Sequence, residues 1–263
     1  MEFLSLLGKT LLLRPYVFLF LAIALATSTW LMGKKRTAIF FFLTWVTAFV
    51  CEFSSTRTGF PFGWYVYTGS TISQELYISN VPFMDSLSFS FLLFTSYCLA
   101  LTFLLPAQGR GLGMVMRADR ATRTSVPVLG LTVLFFVLLD VVIDPVALRG
   151  DRWFLGKIYY YPEPGVHFGV PIANYLGWAV VGLVAFGLYQ RLDRRLPDNG
   201  SEENIARRLL FGCALYYGIL GFNLAVTFWI GEPLIGATGL LMYLPITTFL
   251  LMKLAGRLRA PAS

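Results

Sequence analysis

Apolar residues run along this chain in seven long stretches: Tyr16–Met32, Ala38–Phe53, Ser86–Leu105, Val126–Ile143, Gly169–Gln190, Leu209–Ile230 and Pro233–Met252. Most approach the roughly 20 residues that carry a helix across a hydrocarbon core of about 30 Å. The second is short, and the last contains Pro245, which kinks a membrane helix without excluding it. The pattern predicts an all-α polytopic membrane helical bundle with about seven transmembrane helices. These form one integral membrane domain over residues 1–263.

Composition agrees: 57% of residues are apolar and only 13% charged, against about 25% charged in soluble domains. The net charge of +7 raises nucleic acid as a partner, but the basic residues sit in short clusters between apolar runs, the pattern of cytoplasmic membrane loops. One set of connections holds fifteen of them, including Lys34, Lys35, Arg36, Arg110, Arg123, Arg191, Arg208, Lys253 and Arg259; the other side holds six, Lys9, Arg14, Arg57, Arg149, Arg152 and Lys157. Seven crossings with the N-terminus outside and the C-terminus cytoplasmic satisfy the positive-inside rule better than six, or than an inverted seven. A basic start, an apolar run and small residues at Ala22, Ala24 and Ala26 also fit a cleaved signal peptide. Lys34, Lys35 and Arg36 directly after it favour a retained first helix. The loop from Arg191 to Arg208 contains Pro197 to Gly200, with a helix start expected at Ser201-Glu202-Glu203.

Several chemistries are disfavoured. Cys51, Cys98 and Cys213 all lie in apolar segments, without metal-ligand spacing or a disulfide pattern. His167 is the only histidine, which removes iron enzymes that need several histidine ligands. No Gly-x-Ser-x-Gly elbow, Gly-x-Gly-x-x-Gly or P-loop occurs. A retinal protein needs a lysine deep in the last helix, and Lys253 lies at its cytoplasmic end.

Two connections on the non-cytoplasmic side, Ser54 to Asp85 and Asp144 to Phe168, are dense in Trp, Tyr, Pro and Gly. They read either as an interfacial aromatic belt or as the mouth of a cavity. Ionisable residues within membrane segments are functional candidates by default. Glu52 lies 16 residues beyond Arg36, Asp140 17 beyond Arg123, Asn223 15 beyond Arg208, and Asn174 17 before Arg191. At about 1.5 Å per residue these positions share one level, roughly 22–26 Å from the cytoplasmic edge. Asp140 and Asp144, four apart, share a helix face. Arg57 stands close enough to Glu52 to neutralise it if the chain bends back, and Asp144-Pro145 also reads as a helix terminus.

The motifs at these positions carry a resemblance. Glu52 is followed by Gly59-x-Pro61-Phe62-Gly63-x-Tyr65-x-Tyr67. Further on stand Asp140-x3-Asp144-Pro145, Trp153, and Gly165-Val-His167-Phe168-Gly-Val-Pro-x-x-Asn174-Tyr-x-Gly177-Trp178. Together they resemble the CruF-type carotenoid 1,2-hydratases, membrane proteins of carotenoid biosynthesis, from the second helix to the fifth and more weakly beyond. The resemblance implies addition of water to the terminal double bond of an acyclic carotenoid end, giving a tertiary alcohol by proton-initiated carbocation chemistry without a cofactor or metal. It implies a carotenoid substrate in the lipid bilayer, carotenoid-pathway enzymes as partners, and a bacterial inner membrane location. On this reading Asp140 or Glu52 donates the proton while Asp144 and Asn174 position water. Arg57, Trp64, Tyr65, Tyr67, Trp153, His167, Phe168, Trp178 and Asn223 line the substrate. Competing readings are a lycopene-type cyclase, which shares the acid but excludes water, a transporter, and a non-enzymatic carotenoid- or lipid-binding protein.

Overall fold

The computed structural model describes residues 2–197 and 203–257. Helix α1 (Glu2–Leu13) precedes α2 (Pro15–Thr58), α3 (Phe83–Leu104), the single turn α4 (Arg120–Arg123), α5 (Val126–Ala147), α6 (Ile172–Asp193), α7 (Ala206–Trp229) and α8 (Pro233–Leu254). Four two-residue strands lie in the connections: β1 (Val66–Tyr67), β2 (Tyr77–Ile78), β3 (Val81–Pro82) and β4 (Tyr159–Tyr160).

Six helices among the described residues are long and apolar enough to span a membrane, and α2 is two helices in one. Gly33 inside it has φ 79° and ψ 161°, a conformation open to glycine and strained for any side chain. The two halves of α2 return to the same end of the bundle. Tyr16 near its start packs on Trp153, with ring centroids 6.3 Å apart, and Glu52 near its finish accepts from Tyr67 of β1. The break lies at the opposite end, where Met32 Sδ meets the Tyr189 hydroxyl at 3.1 Å. Residues 15–32 and 34–58 therefore cross separately, giving seven crossings, as the apolar pattern predicts.

Local signals set the other boundaries. Ser125 caps α5 by accepting from Val128 N–H, and Gly59, at φ 75°, closes α2 by donating to Ser55 O at 3.0 Å. Pro145 does not end α5, which continues to Ala147. Helix α7 begins at Ala206, later than the expected start, of which Ser201 and Glu202 lie outside the described residues. So does Arg259.

Helix α3 is the buried centre, packed against α2, α5 and α7, whereas α8 lies at the periphery on α5 and α7. Leu183, Phe211 and Leu241 on the outer helices are exposed, as side chains facing lipid would be. Each end of the bundle is tied by a buried ion pair. At the end bearing the aromatic loops, buried Arg14 pairs with Glu75 at 3.1 Å and donates to Leu155 O at 2.6 Å. It thereby joins the start of α2 to both loops. At the other, basic end, Asp193 of α6 binds Arg36 at 2.5 Å and Arg123 at 2.7 Å. Removing one partner of such a buried pair costs about 3–5 kcal/mol. Asp193→Asn is expected to lower the thermal unfolding midpoint of detergent-purified protein markedly, while Glu203→Gln, in an exposed pair with Arg208, leaves it nearly unchanged.

Candidate active site

The two aromatic loops meet in a short antiparallel ladder, Val66 opposite Tyr160 and Tyr67 opposite Tyr159. Alternation along a strand sends Tyr65 and Tyr67 one way and Val66 the other. Tyr65, Tyr159 and Tyr161 are buried, while Val66 and Tyr160 are exposed. The phenols thus gather beneath the ladder, with Tyr65 6.1 Å from Tyr159 and 6.2 Å from Tyr161 between ring centroids.

Below them lies a cavity of about 140 Å³ bounded by α2, α3, α5, α6, α7 and both loops. Four carboxyls line it, Glu52, Asp85, Asp140 and Asp144, with the amides of Asn174 and Asn223. Among the described residues that line it none is Lys, Arg or His. The rest of the wall is apolar and aromatic, including Phe89 stacked on Trp178 at 4.1 Å between centroids.

The carboxyls fall into two hydrogen-bonded groups. In the first, the Tyr67 hydroxyl lies 2.7 Å from Asp85 Oδ2 and 3.1 Å from Glu52 Oε1, with the Tyr65 hydroxyl 3.5 Å away. In the second, Asp144 accepts from the Tyr159 hydroxyl, from the Tyr161 hydroxyl at 2.9 Å and from Asn174 Nδ2 at 3.1 Å. Asn174 Nδ2 also donates to Asp140 Oδ2 at 2.7 Å. Two carboxyl oxygens are buried with no partner, Glu52 Oε2 and Asp140 Oδ1. Burial, reinforced by the carboxyls, pushes the phenols of Tyr67, Tyr159 and Tyr161 well above the ordinary tyrosine value. They remain neutral donors at physiological pH.

Of the thirteen residues singled out from sequence, nine line this cavity: Glu52, Tyr65, Tyr67, Asp140, Asp144, Trp153, Asn174, Trp178 and Asn223. Four do not. Arg57 turns away from Glu52, lies over the Phe53 ring at 3.4 Å and donates to Asn80 Oδ1 at 2.9 Å; it neutralises nothing in the cavity. Trp64 is 58% exposed and covers Gly59. His167 meets the Tyr175 hydroxyl at 2.5 Å, and partial burial lowers its basicity. The Phe168 carbonyl accepts from Arg149. Arg57 and Trp64 flank the turn glycines Gly59 and Gly63, and His167 and Phe168 lie between Gly165 and Gly169, so their neighbourhood in sequence to the site is not neighbourhood in space.

Sequence reasoning missed Asp85, Tyr159 and Tyr161. The alternation of the 159–161 tyrosine run marks its two inward members. Asp85 escaped because depth was counted from cytoplasmic basic residues, and α3 has none nearer than Arg110.

The structure is that of an all-α membrane bundle enclosing an acidic, aromatic cavity. The family model for carotenoid biosynthesis proteins matches residues 13–245, so the chain belongs to that family. It is also 28% identical over 238 residues to the bisanhydrobacterioruberin hydratase of Haloarcula japonica, covering 86% of this chain and 71% of that protein. Both agree with the CruF-type resemblance. No solved structure matches.

The aromatic wall depends on one glycine. A Cβ at Gly177 would lie 2.2 Å from Phe62 Cδ1 and 2.9 Å from Phe62 Cα, so the loop backbone itself would have to move. Gly177→Ala is expected to cost about 1–3 kcal/mol by overpacking and to lower the unfolding midpoint. Gly187→Ala, with nothing within 4 Å of its Cβ, serves as the matched control on the same helix.

Proposed function

We propose that this protein is a carotenoid hydratase that adds water to the terminal double bond of an acyclic carotenoid end group, giving a tertiary alcohol. The observation that carries the reading is the pair of unpartnered, buried carboxyl oxygens on Glu52 and Asp140 within one aromatic cavity that no cation lines among the described residues. A buried acceptor without a partner is costly and calls for an explanation. A reacting group supplies one.

Donor chemistry assigns the roles. The Asn174 amide nitrogen only donates, so the oxygens it holds on Asp140 and Asp144 are acceptors, and the proposal takes both groups as carboxylates. The Tyr67 hydroxyl both donates and accepts, and it holds one proton between two carboxyls. A protonated Glu52 satisfies that arrangement. Glu52 then gives its proton to the less substituted alkene carbon, and the positive charge develops on the tertiary carbon. Aromatic faces and the anionic Asp140–Asp144 side stabilise the cation. Water held at Asp140 attacks it, and Asp140 takes the proton released. The named substrate of the Haloarcula japonica relative, bisanhydrobacterioruberin, supports a carotenoid as the molecule hydrated. Under the same proposal the basic end faces the cytoplasm and the tyrosine end the far side of a bacterial inner membrane.

Membranes containing the protein, supplied with an acyclic carotenoid, are expected to yield a product heavier by one water and labelled from heavy-oxygen water. A product of unchanged mass would indicate cyclisation, and unmodified carotenoid would indicate binding or transport. General acid–base catalysis contributes about 100-fold or more, so Glu52→Gln and Asp140→Asn are each expected to lose at least that factor in rate. Arg57→Gln and His167→Gln are expected to keep near-normal rates. Full activity in either carboxyl variant would overturn the assignment.

A further inference from the structure

One carboxyl in the cavity has no part in the reaction as written. Asp85 belongs to the first turn of α3 and reaches Glu52 only through Tyr67. It is the third residue of α3 from the tyrosine end, whereas Glu52 is the seventh residue from the end of α2. Asp85 is part-buried where Glu52 is buried, so Asp85 has the better access to water. The phenol between them hangs from a loop, at 2.7 Å from one carboxyl and 3.1 Å from the other. Such a phenol can pass on its own proton while receiving another.

Hydration makes this necessary. Each turnover leaves Glu52 without its proton and Asp140 with one taken from water, so Glu52 must be reloaded before it acts again. Glu52 is 3% exposed, and no lysine, arginine or histidine lines the cavity among the described residues.

We propose that Asp85 is the residue through which Glu52 is reprotonated between turnovers, the proton passing by way of the Tyr67 hydroxyl. The inference rests on the hydratase reading, with Glu52 as the acid. In the step, the carboxyl O–H of Asp85 breaks and its proton joins the Tyr67 oxygen as the original phenolic proton moves to Glu52. Tyr67 ends as it began, a neutral phenol. Asp85 is left as a carboxylate and takes its next proton from water at the tyrosine end. The proton that Asp140 took returns to water, so no proton is consumed overall. Asp85 touches neither the alkene nor the water that attacks the cation, and is a positioning residue for the proton.

The test compares two regimes in membranes containing the full-length protein, with an acyclic carotenoid as substrate and protein level measured by blot. With protein in excess each molecule acts once, using the proton already on Glu52. With carotenoid in excess it must reload. Asp85→Asn is expected to keep its single-turnover rate within about two-fold of the unaltered protein. Its steady-state rate is expected to fall about ten-fold or more as reloading replaces chemistry as the slow step. Asp85→Glu is expected to restore most of the steady-state rate. Tyr67→Phe, which keeps the ring and breaks the connection, is expected to lower the steady-state rate at least as far as Asp85→Asn does, and Asp85→Ser, with the same split between regimes expected, carries the test if Asp85→Asn fails to accumulate. An equal fall in both regimes, or an unchanged steady-state rate, would overturn the relay. Glu52→Gln separates this failure from failure of the parent reading: it is expected to abolish product in both regimes. Product in the single-turnover regime from that variant would sink the role of Glu52 itself, and the relay with it.

Discussion

The pairing of Val66 and Tyr67 with Tyr160 and Tyr159 is only two residues long, yet the chemistry of the cavity hangs from it. It is reinforced at one end, where Thr68 N–H donates to Ile158 O at 2.9 Å and the Thr68 hydroxyl to Lys157 O at 2.6 Å. Because side chains alternate along a strand, a slip of one residue would exchange Tyr159 and Tyr161 for Tyr160. Asp144 would then lose two of its donors, and Tyr67 its place beside Asp85 and Glu52. The ladder is held in turn by the Arg14–Glu75 pair, since Arg14 also binds the carbonyls of Phe154 and Leu155 a few residues before β4. Membrane helices supply a rigid wall, but a loop-to-loop register decides which phenols enter the cavity.

Four carboxyls in an apolar setting without a lining cation are expensive, and the donors are distributed unequally among them. Asp144 receives three hydrogen bonds, each charge-assisted bond being worth about 1.5–3 kcal/mol. Asp140 receives one from Asn174, and Glu52 and Asp85 share a single phenol. The phenols are held in their neutral, donating form by the same burial that makes the carboxyls costly. This inequality separates one well-supplied carboxyl from three that have few donors. It comes from the placement of eight side chains on four helices and two loops, not from any one element.

The bundle was largely legible in the sequence because membrane spans announce themselves by apolarity, and the Lys34-Lys35-Arg36 cluster marked the reversal that Gly33 makes. That Glu52, Asp140, Asn174 and Asn223 come to one cavity was legible too, since helical rise converts residue counts into an expected depth. What could not be read was which loop residues face inward. Tyr67 and Tyr159 are 92 residues apart, and nothing local to either specifies their pairing. Arg57 shows the same limit from the other side. A charge five residues from Glu52 suggests neutralisation, but the αL turn at Gly59 closes the helix and Asn80 captures the guanidinium at the surface.

The cavity size bears on how a hydratase of this kind would treat its substrate. At about 140 Å³ it resembles the cavity of about 150 Å³ that holds a single benzene in an engineered protein. A whole polyene is far larger, so recognition on the proposed reading falls on the branched end group while the remaining chain stays among lipid or helix faces. A tertiary cation in that space has two exits. A bare carboxylate against it would pull a proton from a neighbouring methyl and return an alkene. Water gives the alcohol only if it stands between the cation and the base. The three donors on Asp144 quench it as a base, which leaves Asp140, with one oxygen fixed by Asn174 and the other unpartnered, as the group able to hold that water in place. On this argument Asn174 governs the outcome as much as the acid does, because it fixes the carboxylate that decides between hydration and reversal.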